Sequence, residues 1–338
     1  MIVLGIETSC DETSAGIVRG GSEVLANVVA SQADLHARYG GVVPEVASRK
    51  HVECILPVML EALDTAGLTW QDINGLAVTN RPGLLGALLV GVSAAKALAL
   101  ALSLPLAAVH HLEGHLYSTF LAAPDLADRF PVLALIVSGG HTQIIRMDNH
   151  CDYKLLGTTR DDAAGEAFDK GARLMGLPYP GGPEVSALAA LGDRKAVAMP
   201  RSYLGDTLDF SFSGVKTALR TYLARDNGDT PLADVAAGYQ EAIVTMLTRT
   251  LQRAVQQTDI RTICVCGGVA ANHRLQESMR TMAEQEDCRL VMPDARLCTD
   301  NAAIIASAGW YRLKYTAPDP LSFDTLAVSP LAQATICY

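Results

Sequence analysis

Short apolar runs separated by polar turns occur twice along the chain. Residues 2–18 read "IVLGIETSCDETSAGIV" and residues 131–147 read "PVLALIVSGGHTQIIRM", and each stretch predicts a strand, a turn and a second strand. Each is followed by a further buried strand, "DINGLAVT" at 72–79 and "DIRTICVC" at 259–266, with a glycine-containing loop and a helical pattern after it. The same units in the same order indicate an internal duplication.

Helical periodicity predicts helices near 45–65, 84–103, 111–123, 160–176, 231–257, 271–286 and 299–315. Strands that alternate with helices favour an α/β fold with mixed sheets. The stretch "LAAPDLADRFP" contains two prolines and is the predicted boundary, which gives one lobe at 1–130 and a second at 131–338. We expect the last helix and the tail, about 299–338, to pack back on the first lobe.

Composition agrees with a packed globular enzyme, since 49% of the 338 residues are hydrophobic and 19% are charged. The net charge of −9 gives no overall attraction for nucleic acid, so such binding needs a local basic patch or a partner. The stretch 34–51, "DLHARYGGVVPEVASRKH", is the clear local excess of basic groups. It fits a phosphate contact or a solvated helix face.

The cysteine pattern and the apolar stretches favour a soluble cytoplasmic protein. The eight cysteines are scattered and contain no C-x-x-C pair, which is typical of a reducing compartment. The long apolar stretch at 83–109 has Lys96 at its centre, which disfavours a membrane span. The first residues lack the basic region and cleavage site of a signal peptide.

The stretch "VHHLEGHLYS" at 109–118 is the strongest candidate for metal chemistry. His111 and His115 are four residues apart and share one helix face, where they can be two ligands of one metal or polar groups without one. Glu113 lies about 200° around the helix from His111, so a zinc-protease H-E-x-x-H arrangement is excluded. Asp300, at the predicted start of a helix capped by Thr299, is either a third ligand or a charge that complements the helix dipole.

Several polar and glycine-rich turns are candidates for substrate contacts. The turn in "GIETSCDETSAG" (5–16) contains Glu7 and Asp11, and "IVSGGHT" (136–142) offers Ser138 and two glycines that a phosphate could approach closely. "YPGGP" (179–183) and "GGVAAN" (267–272) are further glycine-rich turns, the latter at a strand end that suits ligand binding. The chain has neither a P-loop nor a G-x-G-x-x-G fingerprint.

Taken together, these motifs closely resemble the TsaD family of tRNA threonylcarbamoyladenosine transferases. The resemblance covers nearly the whole chain and includes "GIETSCDET", "GGVVPEVASRKH", "RPGLLGALLVG", "HHLEGHL", "VSGGHT", "DDAAGEAFDK", "YPGGP", "FSFSGVKTA", "GGVAAN" and "CTDNAAIIA". It implies two duplicated ribonuclease-H-like lobes of the actin-like and sugar-kinase superfamily (ASKHA), with the active site in the cleft between them.

The resemblance also implies the reaction and its residues. The threonylcarbamoyl group of threonylcarbamoyl-AMP passes to N6 of the adenosine 3′ to the anticodon in tRNAs that read ANN codons, and AMP leaves. By family motif, the metal ligands are His111, His115 and Asp300, and Fe(II) is expected before Zn(II). The adenylate contacts are Ile136, Val137, Ser138, Gly139, Gly140, Asp169, Gly182 and Asn272. Asp11 is our candidate for the catalytic group that accepts the proton of the incoming amine.

Two positions depart from the family pattern. Archaeal and eukaryotic relatives have a tyrosine before "VSGG" that can join the metal shell, whereas this chain has Ile136, which leaves the remaining positions to water or substrate. Arg81 replaces the commoner glycine of "GPGL", and the sequence gives no role for it. The expected partners are tRNA, a TsaB-like paralogue that forms a heterodimer and a TsaE-like ATPase.

Three other functions compete with the transferase. A metallopeptidase is disfavoured by the position of Glu113. A sugar-kinase-like phosphotransferase would share the fold but would hold Mg²⁺ through carboxylates and water rather than two imidazoles. A non-catalytic scaffold would not need every motif position to be filled.

Overall fold

Ten strands form two five-stranded sheets in the computed structural model, which describes residues 1–226 and 228–331. Cys337 and the expected tail contacts of 332–338 lie outside the described residues. The strands, numbered in chain order, are β1 Ile2–Glu7, β2 Glu12–Arg19, β3 Glu23–Ser31, β4 Gly75–Arg81, β5 Leu106–His110, β6 Val132–Val137, β7 Thr142–Asn149, β8 Asp152–Thr158, β9 Thr262–Cys266 and β10 Arg289–Val291.

The two sheets repeat one strand order. The first runs β3-β2-β1-β4-β5, with β1 antiparallel to β2 and parallel to β4. The second runs β8-β7-β6-β9-β10, with β6 parallel to β9 and β9 parallel to β10. Each strand of the first sheet therefore has a counterpart in the second, and the predicted duplication is confirmed.

The seven predicted helices are present, and three of them begin two to four residues later than predicted. The helices are α1 Ala33–Ala37, α2 Pro44–Ala66, α3 Leu85–Leu102, α4 His111–Ala122, α5 Ala164–Leu174, α6 Gly181–Ala189, α7 Ser213–Arg225, α8 Leu232–Thr258, α9 His273–Gln285, α10 Ala295–Cys298 and α11 Ala302–Tyr315. The helix expected from 160 begins four residues later, because Thr159 forms a β-bridge with Phe210 and keeps the chain extended.

The chain folds into two compact units that are interleaved in sequence. Unit 1 contains residues 1–130, 147–153 and, among the described residues, 299–331; unit 2 contains 131–146 and 154–298. Within unit 1, α11 packs directly on β1, and a Cβ on Gly5 would lie 2.4 Å from the carbonyl oxygen of Ala302. Glycine at this position lets α11 approach the sheet closely, which fixes the start of α11 relative to the end of β1.

The turn between β7 and β8 belongs to unit 1, where His150 is inserted among aromatic rings. Its ring stacks on Tyr311 at 4.3 Å between centroids and on Tyr315 at 4.8 Å. Its Nε2 donates to the carbonyl oxygen of Ala127, at 3.2 Å, and its Nδ1 therefore accepts from the hydroxyl of Tyr117, at 3.1 Å. His150 is a neutral, structural histidine.

Helix α3 is the one described helix whose length and composition would let it cross a membrane. It packs on β4 and on α2 within unit 1. Lys96, in the middle of the helix, donates to the carbonyl oxygen of Phe323 at 2.6 Å and lies 4.3 Å from the centre of its ring. These contacts are those of a helix that covers the sheet of a folded domain.

Candidate active site

Helix α4 places two histidines on one face at its first turn. The helix starts directly after β5, and its N-cap residue is His110, whose Nδ1 accepts from the backbone N–H of Leu112 at 3.2 Å. The other ring nitrogen of His110 donates to the carbonyl oxygen of Ser329 at 2.9 Å. The helix start is therefore held by the chain segment that follows α11, and His111 and His115 project together from it.

Asp300 completes a group of three ligand atoms within unit 1. Its Oδ1 lies 3.2 Å from Nε2 of His115 and 3.5 Å from Nε2 of His111. All candidate ligand atoms of the three residues lie within 4.8 Å of one another. Metal–ligand bonds of about 2.0–2.2 Å at tetrahedral angles separate neighbouring ligand atoms by roughly 3.3–3.6 Å. The two distances from Asp300 are close to this value, and the two histidines lie near enough to close around one ion.

The ring of His115 gives an independent test of whether these three residues suit a metal ion. His115 is fully buried, yet neither ring nitrogen has a hydrogen-bond partner among the described residues, because the contact with Asp300 lacks hydrogen-bond geometry. A buried polar atom without a partner costs about 1–3 kcal/mol, and a bound cation removes this cost for Nε2. Two imidazoles and one carboxylate are a donor set that suits Fe(II) or Zn(II).

The predicted cap of the last helix was wrong. Asn301, and not Thr299, is the N-cap of α11: its side-chain oxygen accepts from the backbone N–H groups of Ala303 and Ile304 at 3.1 and 3.3 Å. Asp300 therefore precedes the helix and is not a charge within its first turn. Asparagine therefore satisfies the helix end, and the carboxylate of Asp300 contacts both histidines.

Glu7 is a buried carboxylate that sequence reasoning missed as a functional residue. Its Oε2 lies 3.2 Å from Nδ1 of His111 and accepts from the hydroxyl of Thr79 at 2.6 Å, while Oε1 accepts from the backbone N–H of Ser9. Burial alone raises the pKa of Glu7, but the charge and hydrogen bond of His111 outweigh it and hold that pKa below its usual value. Carboxylates bonded to the far nitrogen of a ligand histidine fix its tautomer and orientation.

The pKa of His111 is shifted in the opposite direction to that of Glu7. Burial lowers the pKa of His111, but the charges of Asp300 and Glu7 outweigh burial and raise it to about 9. The hydroxyl of Ser9 also lies 3.2 Å from Nδ1. The carboxylates around this ring thus stabilise positive charge at the point where the two Nε2 atoms and Asp300 meet.

Asp11 lies in the polar turn between β1 and β2, next to a second acid. The carboxyl group of Asp11 hydrogen-bonds to that of Glu12, whose pKa is raised to about 9 by burial and by the nearby charges of Asp300 and Asp11. Burial and these neighbouring charges thus favour the protonated form of Glu12. The turn places Asp11, the sequence-predicted catalytic residue, in the same acidic surroundings as the metal-ligand group.

Glu113 is occupied by structural contacts, as its helical position predicts. Its Oε1 accepts from the hydroxyl of Tyr153 at 2.7 Å, and its Oε2 lies 3.4 Å from Nη1 of Arg312. It also forms a capping box with His110. A glutamate bound in this way cannot act on a water molecule at His111 and His115, which removes the basis of the metallopeptidase alternative.

Arg81 lies near the charged groups of Glu113 and Arg312 and has a structural role there. It is half-buried, and its Nη1 donates to the side-chain oxygen of Asn80 at 3.2 Å. Burial and the charge of Arg312 lower the pKa of Arg81, and the charges of Glu113 and Asp319 oppose this shift. Arg81 therefore belongs to a mixed ionic cluster at the end of β4.

In unit 2, the turn after β6 packs against the first turn of α5. The backbone N–H of Gly165 donates to the carbonyl oxygen of Ser138 at 3.1 Å, and a Cβ on Gly165 would lie 2.7 Å from the Cα of Gly139. Gly139 and Gly140 are exposed, and a Cβ added to either would meet no other atom within 4 Å, so a ligand can reach their backbone. Ile136 and Val137 are buried strand residues that fix where this turn begins.

Asp169 and Gly182 meet at the start of α6. Asp169 lies one helical turn after Gly165, and its carboxylate accepts from the backbone N–H of Gly181 at 2.8 Å and from that of Gly182. Burial raises the pKa of Asp169 although these hydrogen bonds oppose the shift. A carboxylate has about four acceptor positions, so capacity remains for ligand hydroxyls.

Asn272 lies after β9, which is the parallel neighbour of β6. Its side-chain oxygen caps α9 by accepting from the backbone N–H of Leu275 at 3.0 Å, and its Nδ2 donates to Oε1 of Gln240 at 2.7 Å. One amide hydrogen remains for a ligand. The turns after β6 and β9 follow paired residues, Ile136 and Cys266, so both lie at the carboxyl ends of parallel strands, where α/β sheets bind ligands.

In the basic stretch 34–51, the two histidines cannot contribute to either a phosphate contact or a solvated helix face. His36 and His51 are fully buried. His51 bonds to the hydroxyl of Thr13 at 2.8 Å and to the carbonyl oxygen of Cys10 at 3.0 Å, so it holds the β1–β2 turn in place. Exposed cations of this stretch, such as Arg49, remain available to solvent.

Comparison with known proteins places the chain in a family. A family model described as "TsaD: tRNA N6-adenosine threonylcarbamoyltransferase" matches residues 23–307. A relative with that enzyme name from Symbiobacterium thermophilum is 53% identical over 312 residues, which cover 92% of this chain and 91% of the relative. Another, from Magnetococcus marinus, is 54% identical over 323 residues, which cover 92% of each chain. The chain belongs to the TsaD family. Membership confirms the predicted enzyme class, a transferase of tRNA modification.

Solved structures similar to this TsaD family member show the fold. HypF from T. kodakarensis has a TM-score of 0.63 at 14% identity, covering 93% of this chain and 48% of HypF. The activator of the 2-hydroxyisocaproyl-CoA dehydratase from Clostridium difficile, solved with bound ADPNP, has a TM-score of 0.55 at 14% identity, covering 93% of this chain and 96% of its own. The two-lobed actin-like class predicted from sequence is confirmed.

Proposed function

We propose that the protein transfers the threonylcarbamoyl group of threonylcarbamoyl-AMP to N6 of the adenosine 3′ to the anticodon in tRNAs that read ANN codons. Family membership supports the reaction class. The observation that carries the proposal is the group of His111, His115 and Asp300, in which the buried ring of His115 has no other partner among the described residues.

The three residues would hold one divalent ion, Fe(II) before Zn(II). Bound there, such an ion supplies Lewis acidity toward an oxygen of the substrate. The chain's own contribution is orientation: Glu7 and Ser9 hold the ring of His111 through Nδ1, and Asn301 fixes the start of α11 and with it Asp300. Ile136 offers no ligand, so the remaining positions belong to water or substrate.

We assign the adenylate part of the substrate to the unit 2 residues. The exposed backbone of Gly139 and Gly140 would receive the phosphate, and Asp169 with Gly182 would receive the ribose hydroxyls. The remaining amide hydrogen of Asn272 would contact the base or ribose. These assignments are supported by the donors and acceptors that each residue retains for a ligand.

Asp11 would accept the proton that the adenine amine loses as the new C–N bond forms. The incoming N6 nitrogen attacks the carbamoyl carbon, the bond to the AMP oxygen breaks, and AMP leaves with the electron pair. We expect Asp11→Asn to lower the transfer rate about 100-fold or more, because general bases contribute 10²–10⁴-fold. A rate within about threefold of wild type would remove Asp11 from this role.

The direct test of the reaction uses labelled threonine. The protein is mixed with its partner proteins, bicarbonate, ATP and unmodified tRNA, and label is counted in the tRNA for wild type, His111→Ala and His36→Gln. We expect label with wild type and with His36→Gln, a buried histidine outside the ligand group, and none with His111→Ala. Absence of label with wild type, when a known transferase labels the tRNA under the same conditions, would contradict the proposal.

We also propose that a TsaB-like paralogue binds α2 and α3, with a TsaE-like ATPase completing a cytoplasmic assembly. Val52, Leu56 and Leu60 form an exposed row four residues apart on α2, and Leu85 and Leu89 are exposed on the adjoining α3. Apolar side chains in such a row are typical of a protein interface. Leu56→Asp should abolish co-elution with the paralogue, whereas Leu191→Asp, at an exposed leucine of unit 2, should not.

A further inference from the structure

Residues 192–203 of unit 2 form a segment that lies along helix α8. A Cβ on Gly192 would lie 2.2 Å from the carbonyl oxygen of Ala233, and a Cβ on Gly238 would lie 2.2 Å from that of Val197. Further along, the backbone N–H of Ser202 donates to the sulfur of Met246 at 3.2 Å. The two glycines let the backbones touch, so the segment is held in place over several turns of α8.

This segment presents three cations around a shallow cavity of about 430 Å³. Arg194, Lys195 and Arg201 line the cavity and are exposed, and no carboxylate of the described residues lies within ion-pair distance of them. Glu241, the acid in the cavity wall, is held by Arg274 through two contacts of 2.7 and 3.0 Å. Asp193 accepts from the backbone N–H of Lys195. The cavity therefore carries positive charge that its acids do not neutralise.

Beyond the cavity, an exposed aromatic side chain and a further arginine continue this surface along α8. Tyr203 is 70% exposed, and the guanidinium of Arg253 lies 5.0 Å from the centre of its ring. Arg253 also donates to the carbonyl oxygen of Gly205 at 2.7 Å, which fixes the guanidinium beside the ring. Exposed tyrosine and arginine planes are the surfaces on which unpaired RNA bases stack.

The location and length of this surface suit RNA rather than a single phosphate. Gly238 and Arg253 are 15 residue steps apart on the helix, which is about 22 Å and longer than one phosphate group. At the near end, Gln240 binds Asn272, the proposed adenylate residue, and its neighbour Glu241 lines the cavity. An RNA that lies along α8 would therefore pass beside the proposed adenylate site.

We propose that Arg194, Lys195, Arg201, Tyr203 and Arg253, the cationic row, bind the tRNA substrate near its reacting adenosine. The cations contact the phosphate backbone, and the Tyr203–Arg253 pair stacks an unpaired base. This inference rests on the proposed function and adds the RNA contact surface that a chain of net charge −9 requires.

The first test reverses the charges in the full-length protein. Arg194→Glu, Lys195→Glu and Arg201→Glu are combined, and binding of fluorescein-labelled unmodified tRNA is followed by anisotropy at several KCl concentrations. We expect affinity to fall at least 30-fold at 0.1 M salt, and the slope of log affinity against log salt to decrease by about 2–3, since each phosphate contact contributes 0.7–0.9. Arg220→Glu, at an exposed arginine of α7, is the control and should change affinity less than threefold.

The second test removes the stacking surface. Tyr203→Ala should weaken tRNA binding about fivefold to a hundredfold with little change in the salt slope, and Tyr203→Phe should restore most of it, because stacking needs the ring and not the hydroxyl. AMP binding, measured by calorimetry, should be unchanged in every variant. This readout separates loss of RNA contact from damage to unit 2.

The possible outcomes separate a failure of this RNA-surface proposal from a failure of the proposed function. If wild type neither binds tRNA nor labels it, the proposed function fails. If wild type does both and the charge-reversal variant matches it within twofold, or Arg220→Glu loses as much, the cationic row is not the RNA surface. If the variant keeps tRNA affinity but loses a partner protein, the row is a protein interface and the assignment to RNA is wrong.

Discussion

Glu7 and His111 are 104 positions apart in the chain, yet Oε2 of Glu7 lies 3.2 Å from Nδ1 of His111. Glu7 is the last residue of β1, and His111 is the first residue of α4. The pair joins the central strand of the first sheet to the helix that carries both histidines. With Nδ1–H donated to Glu7, Nε2 is the nitrogen that faces Asp300.

Replacing Glu7 should weaken metal binding without removing a ligand. We expect Glu7→Gln to lower affinity about 10–100-fold, because residues that orient a ligand histidine typically contribute this much. Affinity for Zn²⁺ is measured by competition with a chromophoric chelator. Glu45→Gln, at an exposed glutamate of α2, should match wild type. Equal affinity of Glu7→Gln and wild type would show that the contact does not orient His111.

Glu113 should matter for stability and not for metal binding. Glu113→Gln leaves the buried guanidinium of Arg312 with Asp319 at 3.6 Å as its remaining acidic partner among the described residues. Breaking one side of a buried ion pair costs about 3–5 kcal/mol, so we expect a clearly lower urea midpoint and Zn²⁺ affinity within threefold of wild type. Arg312→Met added to Glu113→Gln should recover part of the stability.

A protein that used Glu113 in catalysis at the metal would behave differently. The substitution would then abolish activity while leaving the unfolding free energy near that of wild type. Finding that pattern would revive the peptidase alternative.

Replacing Gly5 should disturb both the packing of α11 on β1 and the position of Asp300 in the metal-ligand group. Gly5→Ala places a Cβ 2.4 Å from the carbonyl oxygen of Ala302 and 2.5 Å from the backbone nitrogen of Ala306, and backbone atoms cannot rotate away. We expect a loss of about 1–3 kcal/mol of stability. Because Asp300 lies two residues before Ala302, we also expect weaker Zn²⁺ binding. Gly214→Ala, whose new Cβ would meet only the Ser202 hydroxyl at 3.3 Å, is the control. Unchanged Zn²⁺ affinity in a destabilised Gly5→Ala would contradict the coupling.

Local patterns predicted much of the fold. Two short apolar runs on either side of a polar turn predicted β1–β2 and β6–β7, and helical spacing predicted seven helices. Four helices were missed: the short α1 and α10, and the longer α6 and α7. The stretch that forms α6 begins with Gly181 and Gly182, which favour a turn. In α7 only Val215 and Leu219 are buried, so its apolar periodicity is short.

The site was predictable where spacing is local and unpredictable where it depends on tertiary contacts. Four-residue spacing alone places His111 and His115 on one face. The resemblance, rather than any local pattern, selected Asp300, since its approach depends on the packing of α11. Glu7 could not be separated from the other polar residues of its turn, because burial of a strand-end carboxylate is a property of the folded sheet.

His150 should make the protein less stable in mild acid. Burial lowers the pKa of His150 to about 4, although its bond to the Ala127 carbonyl opposes the shift. In the unfolded chain the pKa is near 6.5, so protonation favours unfolding. Stability is therefore unaffected above about pH 7, and is lost progressively as the pH falls from 6.5 toward 4. The loss amounts to about 2 kcal/mol at pH 5 and about 3 kcal/mol near pH 4.

Urea unfolding at pH 8, 6 and 5 measures this dependence against His150→Gln. Glutamine can donate to Ala127 and accept from Tyr117 as histidine does, but it does not titrate. Other acidic groups shift the curves of both proteins equally, so the difference between wild type and variant isolates the histidine. We expect wild type to be the more stable protein at pH 8, since the ring stacks on Tyr311 and Tyr315, and this advantage to shrink by about 2 kcal/mol at pH 5. A constant difference across the three pH values would mean that His150 has the same pKa in the folded and unfolded chains, which would contradict the shift caused by burial.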